Sequence, residues 1–356
     1  MRNLSTNPQD ETASIRAYLE ELASGFTAPP VVPSSPDCFR ASEDHESIAA
    51  RVFDVLTSRD FCYLGKARAA MYRDDALAWF KTTIGRNAPI HLFFDIGGGY
   101  HASVRPGEDE LIFDVGLAEL LALRQVTDFA SAVAPVYGGG VKFSLVIDNM
   151  CALLVNDIPL AKTRRYCAAL RELIRSLGVE RLVDVLVESE HIAVADFERE
   201  RSRSDDAQNA GALTSKQYEN VWRFLGRSCN EGEALERLRR YREVIDASER
   251  LLTPLIHGVH LTQRATATTL CFRPFRGGDS RIQCGLVALT RNSHGKLHPR
   301  LLTTSNLAEF DLRRHYFPGL LPASISSVTY AEPTDAVTRV GSLERDGSAR
   351  PTLVPR

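Results

Sequence analysis

Two acidic residues in this chain close apolar runs. Asp95 ends PIHLFFD (89–95) and Asp148 ends VKFSLVID (141–148). A carboxylate at the mouth of an apolar strand can be desolvated, which raises its pKa toward neutrality. Such a group can act as a general acid or base, or hold a substrate ammonium. Beyond Asp95 runs GGGYHASVR (97–105). His101 in that stretch titrates near pH 7, and Arg105 can make charge-assisted bonds to a phosphate. Arg264 is a second phosphate candidate, and Lys66, after Gly65 at a helix start, is a third. Asn149 follows Asp148 and can orient a substrate or take a left-handed turn. These residue types suit acid–base chemistry on a small anionic substrate.

Other chemistries find less support. His257 and His260 are spaced i,i+3, but no carboxylate or third ligand stands near them, so no metal is expected. The seven cysteines are odd in number, widely spaced and free of CxxC. They read as small buried hydrophobes rather than a disulfide framework or a zinc knuckle. Lysine is scarce, six residues against 37 arginines. An imine-forming amine would have to be Lys66, Lys81, Lys142, Lys162, Lys216 or Lys296.

The strands that carry Asp95 and Asp148 alternate with helical patterns. Helices are predicted over about 46–58, 66–84, 114–133, 160–177 and 230–252, with Asp114 as a cap for the third and Gly178 as the stop of the fourth. CALLVND (151–157) reads as a second strand or a buried loop, and RLVDVLVES (181–189) as either a helix or a strand, the strand version continuing the alternation. The pattern implies an α/β class: a Rossmann-like, mostly parallel sheet flanked by helices, with an α+β C-terminal portion. In such sheets ligands gather beyond the carboxyl ends of the strands.

Residues 1–45 read as an N-terminal arm, with a short helix over 14–26 followed by a Pro/Ser linker. A single catalytic domain is expected over 46–335, with an exposed charged segment at about 196–217. Residues 336–356 read as a disordered tail. The apolar fraction of 44% permits a sizeable core, and the net charge of −2 gives no pull toward nucleic acid or anionic membrane. No apolar run approaches a membrane span, and the polar N-terminus is unlike a secretory signal. A soluble, cytoplasmic protein is expected.

The stretch HLFFDIGGGYHASVR (91–105) admits three readings. It could be a nucleotide or methyl-donor cradle, since DIGGG resembles the first motif of S-adenosylmethionine methyltransferases. Against this, Ala102 stands where G-x-G-x-x-G needs its last glycine, and Pro106-Gly107 leaves no room for a helix. It could be a glycine-rich hairpin or strand-to-loop junction. Or it could be a substrate loop that carries Asp95, His101 and Arg105.

Residues 114–175 resemble the pyoverdine/dityrosine biosynthesis family, the isocyanide synthases. The shared order is an Asp and a Leu/Ala-rich helix (DVGLAELLALRQ), a break (YGGG) and a strand ending in an acid (IDN). A valine-rich segment (LLVND) and a Tyr-containing helix (KTRRYCAALREL) follow. Asn149 stands where the family has glycine, and GGGYHASVRPGE replaces its lysine loop. His260, in VHLTQRA, takes the place of an arginine. The resemblance implies condensation of an amino acid's amine with the ketone of ribulose 5-phosphate to give an isonitrile. It implies no metal or organic cofactor, and a tailoring oxygenase in the same pathway. Asp148, His101 and Asp95 are then the catalytic candidates. Arg105, Asn149, Arg264, Lys66 and His260 are the substrate-binding ones. A catalytically silent relative that binds a metabolite or a partner protein is the remaining alternative.

Overall fold

The computed structural model describes residues 8–26, 44–62, 69–95, 103–104, 111–112, 115–156, 158–203, 231–262, 270–271, 287–302, 309–325 and 327–334. Its centre is a sheet of five strands: β1 (Ile90–Asp95), β4 (Val141–Ile147), β5 (Val183–Val187), β6 (Val259–Thr262) and β7 (Leu270–Cys271). Their order is β5-β4-β1-β6-β7 and every pairing is parallel. The chain steps outward from β1 through β4 to β5, then returns to the other side of β1 with β6. The topological switch point therefore lies between β1 and β6.

Strand alternation divides this sheet into two faces. Ile90, Leu92 and Phe94 of β1, with Val141, Phe143, Leu145 and Ile147 of β4, join the larger core. Against it pack helices α2 (His45–Leu56), α3 (Arg73–Gly85), α4 (Leu117–Val133) and α6 (Leu160–Ser176). The opposite face offers Phe93 and Val146. It is covered by α5 (Asn149–Asn156), α8 (Val194–Arg201) and α9 (Glu231–Leu252) through Met150, Val155, Phe197, Val244 and Ala247. A sheet covered on both faces gives near-continuous apolar strands, and β4 is buried at six of its seven positions. Gly178, with φ of 68°, ends α6 in the left-handed conformation, as expected from sequence.

A second, mixed sheet has the order β10-β11-β8-β9. Its strands are β8 (Val287–Arg291), β9 (Leu297–Leu301), β10 (Phe310–Tyr316) and β11 (Ser327–Pro333). This agrees with the α+β portion expected at the C-terminus.

Three elements differ from the sequence expectations. CALLV belongs to helix α5, not to a strand or loop. The arm opens with helix α1 (Pro8–Ser24), whose Ile15, Leu19 and Leu22 belong to the main core. Glu11 on α1 is 3% exposed and lies 3.8 Å from Arg291 of β8, while Arg16 stacks over Phe317. The first part of the charged segment is helix α8, and its Phe197 is fully buried. Residues 336–356 and the Asp114 cap lie outside the described residues. No helix among the described residues is long and apolar enough to cross a membrane.

Candidate active site at the carboxyl edge of the parallel sheet

Three strands end on or beside an acid at the same edge. β1 ends at Asp95, β4 is followed by Asp148, and β5 is followed by Glu188. Asp95 pairs in register with Val146, so Asp148 stands two residues further out on the neighbouring strand. Asp148 is part-exposed, and its carbonyl accepts the Cys151 N–H at 3.0 Å, starting the turn into α5.

The residues after Asp148 are locked. Asn149 is 0% exposed. Its Nδ2 donates to Ser189 Oγ at 2.7 Å and to Thr163 Oγ1 at 3.3 Å, and its Oδ1 accepts the Ser189 N–H at 3.1 Å. Asn149 starts α5, and Asn87 alone among the described non-glycine residues has positive φ, so the left-handed turn expected as one option is not adopted. The Met150 N–H donates to Glu188 Oε2 at 3.1 Å, and Ser248 Oγ of α9 donates to Glu188 Oε1. Glu188 is itself 0% exposed. Desolvating a carboxylate is costly, and here two donors and the amino end of α5 offset that cost.

A second buried carboxylate lies at the start of α4. Glu119 Oε2 accepts the Gly116 N–H at 2.7 Å, and its Oε1 accepts the Tyr166 hydroxyl at 3.0 Å. Burial raises the Glu119 pKa, opposed by the hydrogen bonds from Gly116 and Tyr166. A raised folded-state value means that the fold binds more protons than the unfolded chain. This contribution to stability is full below the ordinary carboxylate range and is lost as pH rises through the folded value. Glu119→Gln keeps an acceptor for Gly116 and should flatten the pH dependence of the urea midpoint above the ordinary carboxylate range. Parallel curves for variant and wild type would refute this.

Parallel β-α-β connections place the amino ends of helices at the carboxyl edge of the sheet, where they commonly receive phosphates. In this chain the first turns of α4 and α5 already hold Glu119 and Glu188. These two helix ends are therefore already taken by carboxylates. A methyl-donor or dinucleotide cradle needs a helix directly after β1, and the described residues between β1 and α4 form none. β2 (Ser103–Val104) and β3 (Leu111–Ile112) pair antiparallel there, and α4 begins only at Leu117.

Of the residues expected to form the site, Asp148 and Asn149 share this edge, and the backbone of Asp95 ends beside them. His260, part-exposed, pairs in register with Phe93 at the β1/β6 switch point, two residues short of the end of β6. Gly258 lets β6 approach, since a Cβ there would sit 2.2 Å from the His91 carbonyl oxygen. His101, Arg105, Arg264 and Lys66 lie outside the described residues, as does the Gly97–Gly99 turn. Among the described residues no group of three His, Cys, Asp or Glu could hold a metal.

Sequence reasoning missed Glu188 and Glu119. Glu188 had a readable signal, because VLVE repeats the pattern of an apolar run closed by an acid. Glu119 looks like any helical surface acid.

Further back along the same strands lies a His/Ser/Asp set that invites a hydrolase reading. His91 Nε2 lies 2.8 Å from Ser144 Oγ, which donates to Asp184, and Asp184 pairs with Lys142 at 2.7 Å. The serine proton is directed at the aspartate, not at the histidine, and Ser144 is 2% exposed. Desolvation lowers the His91 pKa against the pull of Asp184. The set is a polar ladder across three strands, each member four residues before a strand-end acid, with Ser144 and His260 both in register with Phe93.

The fold resembles that of the PvcA protein from Pseudomonas aeruginosa. That crystal structure matches with a TM-score of 0.60 at 16% identity, over 80% of this chain and 100% of PvcA. A tryptophanyl-tRNA synthetase homolog from Entamoeba histolytica overlaps with a TM-score of only 0.29 at 13% identity, over 60% of this chain and 50% of its own, and carries no argument. No family model and no curated protein matches the sequence.

Proposed function

We propose that this chain is an isocyanide-synthase-like enzyme that condenses an amino acid's amine with the ketone of ribulose 5-phosphate, in natural-product assembly. The observation that carries the reading is Asp148, a part-exposed carboxylate held by a buried network at the ligand edge of the sheet. This is where the motif order of residues 114–175 puts the strand-end acid of the family it resembles. The likeness in fold to PvcA, over the whole of that chain, agrees with the same family.

In this reading Asp148 holds the substrate ammonium, takes its proton and returns a proton as the ketone oxygen leaves in imine formation. His101 and Asp95 serve the later enolisation and elimination. The sugar phosphate is bound by Arg105, Arg264 and Lys66, consistent with helix termini that are already occupied by carboxylates. His260 faces the substrate at the switch point, and Asn149 supports the site from below. A tailoring oxygenase of the same pathway would consume the isonitrile.

The test is direct. Purified chain, ribulose 5-phosphate and each proteinogenic amino acid are incubated in turn, and the infrared stretch of the isonitrile is followed. One amino acid should give the signal. Silence with all of them would sink the reading.

A further inference from the structure

We infer that Asn149 and Glu188 are positioning residues for Asp148, an assignment that rests on the proposed function and names how its acid is held. Both are 0% exposed, so neither side chain can meet a substrate. Both act on the backbone immediately after Asp148. Asn149 ties the start of α5 to the Ser189 N–H, to Ser189 Oγ and to Thr163 of α6. Glu188 takes the next amide, that of Met150, and is held from behind by Ser248 of α9. The other side of Asp148 is fixed by the ladder of β4 with β1 and β5. Displacing Asp148 would therefore break hydrogen bonds made by two fully buried side chains.

The arrangement also gives a reason for Asn149 where the resembled family has glycine. Glycine has no side chain to reach the Ser189 and Thr163 partners. In this chain the amide of Asn149 performs a joining task, so the substitution is compatible with an Asp148 that still works.

The expected signature is a fall in kcat with KM preserved. Misplacing a reacting group by about an ångström costs on the order of a hundredfold in rate. Asn149→Gly and Glu188→Ala should each lower kcat for isonitrile formation by roughly ten- to a hundredfold, with KM for the amino acid within about twofold. Glu188→Gln should recover most of the rate, because its amide oxygen still accepts from the Met150 N–H. If Asn149→Gly instead raises KM at unchanged kcat, Asn149 touches substrate and the assignment is overturned. Wild-type kcat in Glu188→Ala also overturns it. Should Glu188→Ala fail to fold, Ser248→Ala removes one donor only and is expected to lose several-fold in kcat; an unchanged rate there overturns the clamp. If the wild type makes no isonitrile, the proposed function fails, and amide exchange decides the positioning separately. Faster exchange at Met150 and Cys151 in Asn149→Gly supports the clamp, and unchanged exchange removes it.

Discussion

Asp148→Asn should abolish isonitrile formation while the protein stays folded. Asparagine copies the shape of the aspartate and can still donate or accept a hydrogen bond. It cannot take up and return a proton, and it does not offset an ammonium charge. Losing a positioned general acid–base typically costs about 10²–10⁴-fold in rate. The fold should hold, because Asp148 is part-exposed at the strand end and the fully buried Asn149 and Glu188 keep their hydrogen bonds in the variant. Circular dichroism and urea midpoints close to wild type would separate lost chemistry from lost structure. A variant that keeps more than about a tenth of the wild-type rate would remove Asp148 from the acid–base role. The contrast with Glu188→Gln is informative, since that variant also replaces a carboxylate by an amide one strand away. If only proton transfer at Asp148 matters, Asp148→Asn is dead and Glu188→Gln is active.

The parallel sheet was legible because its strands are covered on both faces. PIHLFF, VKFSLVI and LVDVLV are apolar enough to read as interior strands, and each is followed by an acid. The same physics obscured α5. A short apolar run does not reveal its period when all its sides are buried. Met150, Cys151 and Val155 pack into one core and Ala152 into the other. The arm was misjudged for a different reason. Ile15, Leu19 and Leu22 lie at helical spacing and join the main core, while Glu11 and Arg16 of the same helix meet Arg291, Tyr330 and Phe317 of the distant C-terminal part. Nothing local to the arm announces that partner. At the site, strand-end acids stand out in sequence, whereas Glu119 does not. Its role depends on a tyrosine on another helix and on burial that only packing creates.

Phe129→Ala should be strongly destabilising. Phe129 is 0% exposed on α4, the helix that crosses from β1 to β4. Its ring meets Phe61 at 5.1 Å and Phe143 of β4 at 5.6 Å, both edge to face at 87°. It thus joins the helix, the sheet and the segment after α2 through two aromatic contacts. Truncation loses the transfer energy of the ring, leaves a cavity and removes both pairs, so about 3–5 kcal/mol is expected. That is a large share of the roughly 5–15 kcal/mol by which domains are stable. Phe129→Leu refills much of the volume and should lose about half as much. Urea unfolding at constant m-value measures both. A loss below about 1 kcal/mol for Phe129→Ala would mean that α4 can collapse onto β4 without its ring. The first turn of α4, with Glu119 against Tyr166, would then shift with the helix, so a stable Phe129→Ala should still show an altered pH dependence of unfolding.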